Sequence, residues 1–356
     1  MTLQAASLAI GPDCHPAFAA SAADFVSLSS IPATVIALDR RDGEQVLQLA
    51  PTYAEGVHDV RVRWTLHGAA NAPVIVVQGG ISADRHVVSD SDHVGWWDAL
   101  AGSGRAIDTN RFRVLSIDWL ERVDLGDAVA VSTADQADAL AALLVALDIG
   151  RIHAFVGASY GAMVGLAFAA RHPRHACRLV AIAGAHRAHP LSVALRNVQR
   201  EIVRLGDRLG DAAAGLDLAR RLAMTTYRSE REFAERCAAA PVFDSEDGRH
   251  HFAEEDWLKA AGARFVQHFS AQRFLALSES IDLHAVAPED VHLPTTLIGI
   301  ASDRVVPLAD LCDLQRRCGA AATLHVIDSR YGHDAFLKED VQIGALLHEV
   351  LNPLGA

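Results

Sequence analysis

The stretch His153–Phe168, HAFVGASYGAMVGLAF, sets a serine between two glycines where two kinds of apolar pattern meet. Before it, Ile152, Ala154, Phe155 and Val156 read as a buried strand, and after it Ala162 to Ala170 reads as an apolar helix. G-x-S-x-G between a strand and a helix is the setting of a nucleophile elbow, a sharp turn that holds a serine hydroxyl out of the chain. Gly157 and Gly161 leave out the β-carbons that such a turn and its tight strand–helix contact would crowd. The competing reading is a small residue at an ordinary strand–helix junction. The choice rests on whether the partners of a serine nucleophile follow in the chain.

Outward from the elbow, the segments 45–54, 59–68, 72–80 and 111–118 read as strands, a helix is expected from Ser132 to Leu147, and CRLVAIAGA (177–185) as a further strand. Short buried strands separated by helices imply a mostly parallel central sheet with helices on both faces. From about His186 to Val291 the pattern changes to amphipathic helices without a convincing strand. TTLIGIASD (295–303) and AATLHVIDS (321–329) then restore strand, helix and strand, before a last helix from Val341 to Leu351. The simplest account is an α/β core over 35–185 and 292–356, interrupted by a helical lid insertion over 186–291.

The 356 residues are 51% hydrophobic, enough for a large core, and carry 32 basic against 44 acidic side chains, a net charge of −12. Such a charge repels a nucleic-acid backbone or an anionic membrane surface, so an anionic ligand must be met by a local basic patch. Thirty of the basic residues are arginines, and only Lys259 and Lys338 are lysines, which makes any single arginine a weak sign of function. Cys14, Cys177, Cys237, Cys312 and Cys318 are scattered and odd in number, as in reduced thiols of a cytoplasmic protein. The small-residue stretch FAASAA (18–23) lacks the charged start of a secretory signal, and no apolar run approaches the ~20 residues that span a bilayer. A soluble, cytoplasmic protein is expected.

A serine hydroxyl needs a base, and the base needs an orienting acid. In an α/β hydrolase the chain order is serine, acid, histidine. Asp303 ends one apolar strand segment and His333 follows the next, in SRYGHDAFL (329–337), which satisfies that order. Two backbone donors are required for the oxyanion: the N–H of Tyr160, directly after the serine, and one from VVQGGISADRHV (76–87), where Gly79 and Gly80 would expose the N–H of Ile81.

Several segments together then resemble the α/β-hydrolase-fold homoserine O-acyltransferase family: GWWDALAGSGRAIDTNRFRVL (95–115), SVALRNVQREIVRL (192–205), TTYRS (225–229) and GHDAFL (332–337), in order and approximate spacing. The resemblance runs from about Val74 to Glu349. It implies the α/β-hydrolase fold and transfer of an acyl group from coenzyme A to an amino-acid hydroxyl, a step towards methionine, with no permanently bound cofactor or metal. It implies Ser159 as nucleophile, Asp303 as acid, His333 as base and Ile81 as an oxyanion donor, with Arg200, Tyr227 and Asp334 holding the acceptor. Arg200 has the fork geometry for an α-carboxylate, and Asp334 the charge for an α-ammonium. The alternatives are a solvated helix face for Arg200, since arginine recurs every fourth residue from Arg196 to Arg208, a core position for Tyr227, and a helix N-cap for Asp334.

Arg196 stands one helical turn before Arg200, where acetyl-using members of the family tend to carry a small polar residue. It points to succinyl-CoA over acetyl-CoA, the alternative being a solvent-facing arginine paired with an acidic neighbour. The segment 118–136 lacks the family's Gly-Ser-Thr-Gly-Pro signature. Relatives pair through their insertions, so a homodimer through 186–291 is expected. The small-molecule substrates are then acyl-CoA and L-homoserine; serine as acceptor, ester hydrolysis and a catalytically silent binding protein stand as alternatives.

Overall fold

The computed structural model describes residues 17–18 and 38–352, apart from positions 127, 238, 245 and 247. Cys14 and residues 19–23 of the small-residue stretch lie outside the described residues. The first half contains β1 (Ala17–Phe18), β2 (Leu38–Leu49), β3 (His58–Ala69), β4 (Val74–Gln78), β5 (Ala101–Gly102), β6 (Ile107–Asp108), β7 (Arg113–Ile117), α1 (Thr133–Ala146), β8 (Ala154–Ala158), α2 (Tyr160–Arg171) and β9 (Leu179–Ile182). Then come α3 (Pro190–Arg208), α4 (Ala212–Tyr227), α5 (Glu230–Arg236), the short strands β10 (Val242–Asp244) and β11 (Arg249–His251), α6 (Ala253–Val266) and α7 (Ala271–Leu283). The chain returns to the sheet with β12 (Thr295–Ile300), α8 (Leu308–Cys318), β13 (Ala322–Ile327) and α9 (Asp340–Leu351).

The central sheet has the order β1-β13-β12-β9-β8-β4-β7-β3-β2. Among the described residues, β3 runs antiparallel to both of its neighbours, β2 and β7, and the other pairings of this sheet are parallel. The chemistry of the strands explains this. β4, β8 and β9 are buried at every residue, because helices cover both faces of a parallel sheet and no position is left for water. The β2–β3 ribbon instead alternates buried and exposed residues, as an antiparallel edge with one wet face does. The core lies in two clusters: one includes Leu140, Phe155 and Phe168 against α1 and α2, and the other Ile75, Val156 and Ile298 against α9.

The helical segment between β9 and β12 leaves and rejoins the core at one neck. Arg187 and Ala285 form an isolated antiparallel bridge, and the Val286 N–H donates to the His186 carbonyl at 2.9 Å. Where the sequence offers only helices, the structure adds the β10–β11 hairpin. Its exposed residues, among them Val242 and Phe243, carry no alternation that would announce a strand. Against the expected segment 45–54, β2 begins earlier at Leu38 and stops at Leu49, where Pro51 starts a turn, and the two-residue strands β1, β5 and β6 are too short to show as a sequence pattern. The helix expected from Ser132 is α1, capped by Ser132, whose hydroxyl accepts from the Asp135 N–H while Asp135 reaches back to the Ser132 N–H.

Candidate active site

Ser159 joins β8 to α2 at φ 55° and ψ −116°, a conformation that costs an L-residue strain and persists only where the surroundings impose it. Both flanking glycines are part of that imposition. A β-carbon on Gly157 would stand 2.2 Å from the Gly161 carbonyl oxygen, and one on Gly161 would stand 2.1 Å from the Gln78 carbonyl oxygen. The helix start is therefore pressed onto the end of β4, and the Gly161 N–H donates to the Gly79 carbonyl at 2.8 Å.

The partners converge from the far end of the chain. Ser159 Oγ lies 2.8 Å from His333 Nε2, and His333 Nδ1 lies 2.7 Å from Asp303 Oδ2. Asp303 is held by the loop after β12: its second oxygen accepts from the N–H groups of Val305 (2.8 Å) and Val306 (3.0 Å). With that carboxylate side chain fully buried, the imidazole proton on Nδ1 is fixed and Nε2 is left to face the serine. Burial is the largest influence on the His333 pKa and pulls it down, but the charge and hydrogen bond of Asp303, with Asp334 behind them, outweigh it and hold the value above the ordinary histidine range.

Of the two expected oxyanion donors, Tyr160 is the first residue of α2, so its N–H has no carbonyl four residues back in the helix to receive it. Its side chain is anchored, the hydroxyl 2.7 Å from Ser280 Oγ on α7 and the ring edge-on to Trp119 at 4.7 Å. Ile81 follows the Gly79–Gly80 pair on the neighbouring loop. There the Gly80 carbonyl accepts from the Trp119 indole at 2.9 Å and from the Ala83 N–H at 3.0 Å. Trp119 lies in the segment that lacks the Gly-rich signature, and this is how that segment closes on the site.

A small cavity of about 30 Å³ sits on Ser159 and His333, and Tyr160, Arg196 and Tyr227 line it, with Arg187, His189 and Asp310 at its rim. Arg196 is 8% exposed. Its Nε donates to Asp282 Oδ1 at 2.6 Å, and its Nη2 is buried without a hydrogen-bond partner among the described residues. Arg200, also 8% exposed, does not line the cavity: its Nη1 donates to Asp282 Oδ2 (2.6 Å) and to the carbonyl and hydroxyl of Ser278. One carboxylate thus serves two guanidinium groups, so this three-residue cluster keeps a net positive charge. Tyr227 sets its ring 5.7 Å from that of His333. Asp334 is buried and paired with Arg228 Nη2 at 3.0 Å, while Arg228 also reaches Glu232; the 3-10 turn that contains Asp334 is N-capped at Tyr331 instead.

Sequence reasoning missed Asp282, Ser278 and Arg228. Asp282 is 82 residues from Arg200, on another helix, and no local spacing announces such a pair. Among the described residues, one cluster has ligand types close enough for a metal ion, His86, Asp90 and His93. Arg40 already fills it, paired with Asp90 and 2.8 Å from His86 Nδ1, and its positive charge opposes a cation there.

A strand–serine–helix elbow on a mostly parallel sheet, with a carboxylate and a histidine brought to the serine by the loops after β12 and β13, defines the α/β-hydrolase fold. The family model described as alpha/beta hydrolase fold matches residues 72–340. A homoserine O-succinyltransferase of Xanthomonas campestris pv. campestris is 47% identical over 315 residues, covering 88% of this chain and 84% of the relative. A serine O-succinyltransferase of Xylella fastidiosa is 29% identical over 346 residues, covering 84% of this chain and 93% of the relative. The crystal structure of homoserine O-acetyltransferase from Bacillus anthracis superposes with a TM-score of 0.78 at 20% identity, over 88% of this chain and 98% of that one, which fixes the fold. The chain belongs to the α/β-hydrolase-fold homoserine O-acyltransferase family.

Proposed function

We propose that the protein is an L-homoserine O-acyltransferase that carries a succinyl group from coenzyme A to the homoserine hydroxyl through an acyl-serine. The observation that supports the chemistry is the bonded series Ser159, His333, Asp303, in a chain 47% identical to a homoserine O-succinyltransferase. His333 takes the Ser159 proton as Oγ attacks the thioester carbon, and the N–H groups of Tyr160 and Ile81 receive the developing oxyanion. Collapse breaks the C–S bond, and His333 returns the proton to the departing thiolate. Homoserine then gives its hydroxyl proton to His333 as its oxygen attacks the acyl carbon, and the proton goes back to Ser159. Asp303 supports the imidazolium in both halves. Nothing in this cycle calls for a permanently bound cofactor or a metal. The helices from α3 to α7 act as the lid, keeping water from competing for the acyl-serine.

Succinyl is favoured over acetyl by Arg196. Its Nη2 is buried and unpartnered in a wall of the serine cavity, and a donor carboxylate would satisfy it, whereas an acetyl methyl would not. Arg200, Tyr227 and Asp334 are assigned to the acceptor. Since Arg200 is bonded to Asp282 and Asp334 to Arg228, the acceptor exchanges those partners as it binds. The 29% identical serine O-succinyltransferase favours serine as a second reading for the acceptor.

Steady-state kcat/KM with succinyl-CoA and acetyl-CoA, each against homoserine and serine, tests both choices. Wild type should prefer succinyl-CoA with homoserine, and Arg196→Ala should lose succinyl-CoA selectively, by on the order of 10²-fold or more for a buried carboxylate left without its cation. Equal loss with both donors would remove the carboxylate role from Arg196. Transfer to serine at the rate of homoserine would shift the acceptor assignment.

The assembly follows from the same helices. Leu191, Val198 and Leu205 are each about half exposed or more at seven-residue spacing along α3, followed by Leu209 at 76%. Seven residues are two helical turns, so the four share one face, and a twin copy across a two-fold axis would cover it. Among the described residues no helix is long and apolar enough to cross a membrane; we place the protein in the cytoplasm, as a homodimer.

A further inference from the structure

A second cationic feature lies on the other side of Tyr227. A groove of about 330 Å³ between α4, α6 and the oxyanion loop is lined by Arg220, Arg228, Arg264 and His268, and no acidic side chain among the described residues lines it. This is unusual ground in a chain with 44 acidic and 32 basic residues. The Arg220 guanidinium is held between two rings, 5.3 Å from the centre of Tyr227 and 4.8 Å from that of Phe265, and its Nε is buried without a hydrogen-bond partner among the described residues. Arg228 Nε is buried and unpartnered as well. A preorganised guanidinium with unfilled donors is the group that phosphate oxygens satisfy best.

The groove is tied to the reacting atoms at two points. Ser82, on its wall, is the residue after Ile81, and Arg228 is bonded to Asp334, the neighbour of His333. Tyr227 forms the partition, with His333 against one part of its ring and Arg220 against another. We infer that this groove is the anchoring subsite for the acyl carrier, where arginines and histidine receive the phosphate esters of its nucleotide end while the thioester reaches Ser159 past the oxyanion loop. The inference rests on coenzyme A being the donor's carrier. It assigns the groove to phosphoester anions, a chemistry shared by the carrier's nucleotide and by free pyrophosphate.

The probes are succinyl-CoA, succinyl-pantetheine, which lacks every phosphate, adenosine 3′,5′-bisphosphate and inorganic pyrophosphate, with the exposed Arg264 changed to Ala. Arg264→Ala should raise KM for succinyl-CoA about fivefold or more relative to KM for succinyl-pantetheine, and weaken calorimetric binding of adenosine 3′,5′-bisphosphate by a similar factor. Adenosine 3′,5′-bisphosphate should compete with succinyl-CoA better than pyrophosphate does; the reverse order would overturn the nucleotide assignment. Arg187→Ala, at the rim of the serine cavity, is the counter-test: if it and not Arg264→Ala raises KM for the CoA donor alone, the carrier enters elsewhere and the groove assignment is wrong. The binding arm needs no turnover. Equal affinity for the bisphosphate in wild type and Arg264→Ala would overturn the groove, whereas tight, Arg264-dependent binding without acyl transfer would support it and count against the transfer reading instead.

Discussion

Replacing Gly161 by Ala adds one methyl group at the point where α2 meets β4. The new β-carbon would stand 2.1 Å from the Gln78 carbonyl oxygen and 2.9 Å from that of Gly79, where ordinary contact begins near 3.4 Å. Both obstacles are backbone. Gln78 is the last residue of a fully buried central strand and its side chain is itself bonded to Ser116 and to the Ile117 N–H, so the strand has little room to yield. The start of α2 must therefore move by roughly 1 Å, as overpacked cores do, at a cost of about 1–3 kcal/mol in stability. The same shift carries Ser159 with it, and a 2.8 Å bond to His333 lengthened by that much is no longer a hydrogen bond. A misplacement of this size costs roughly 10²-fold in rate. Urea unfolding midpoints and kcat for acyl transfer measure the two effects, with Gly150→Ala as the comparison because nothing lies within 4 Å of its added β-carbon. Wild-type kcat in Gly161→Ala would refute the claim that the glycine sets the position of the nucleophile, and an unchanged midpoint would refute the packing argument behind it.

Asp303 holds the His333 pKa above its ordinary value, so the rate should fall as pH drops through that raised pKa; Asp303→Asn removes the main opposition to burial and leaves only Asp334 behind it, and the acid limb of kcat/KM should move to lower pH while kcat falls by on the order of 10⁴. His284 is buried with Nδ1 2.7 Å from Thr133 Oγ1, and burial pushes its pKa down to about 3. The unfolded chain therefore binds a proton below pH ~6.5 that the folded one refuses, and stability present above that pH is lost on acidification, by up to about 1.4 kcal/mol per pH unit. His284→Gln should flatten the dependence between pH 6.5 and 5 in denaturant titrations by about 2 kcal/mol, and an unaltered slope would remove His284 as its source. If the proposed homodimer forms through that face, Val198→Glu combined with Leu205→Glu should leave only monomers in sedimentation at micromolar concentration; a wild-type monomer, or an unaffected dimer, would rule out that face of α3.

The elbow was legible in sixteen residues because its signals are local: an apolar strand, an apolar helix and glycines at the two positions where a β-carbon meets backbone. The parallel sheet was legible for a related reason, since a strand buried on both faces must be apolar throughout and β4, β8 and β9 are. The order of Ser159, Asp303 and His333 could be read along the chain because each follows a strand end, and strand ends are marked by where apolar runs stop. The arginines of α3 show the limit of such reading. Their four-residue spacing puts Glu201 within reach, and Arg204 does pair with it, 2.7 Å away and exposed. Arg196 and Arg200, on the same helix with the same side chain, instead turn inward to Asp282 on α7, and Asp334 turns to Arg228. Spacing fixes which residues share a helix face. Which of them are desolvated, and by whose carboxylate they are neutralised, depends on how α3, α7 and the core close on one another across more than 80 residues of chain, and that is settled only when the helices pack.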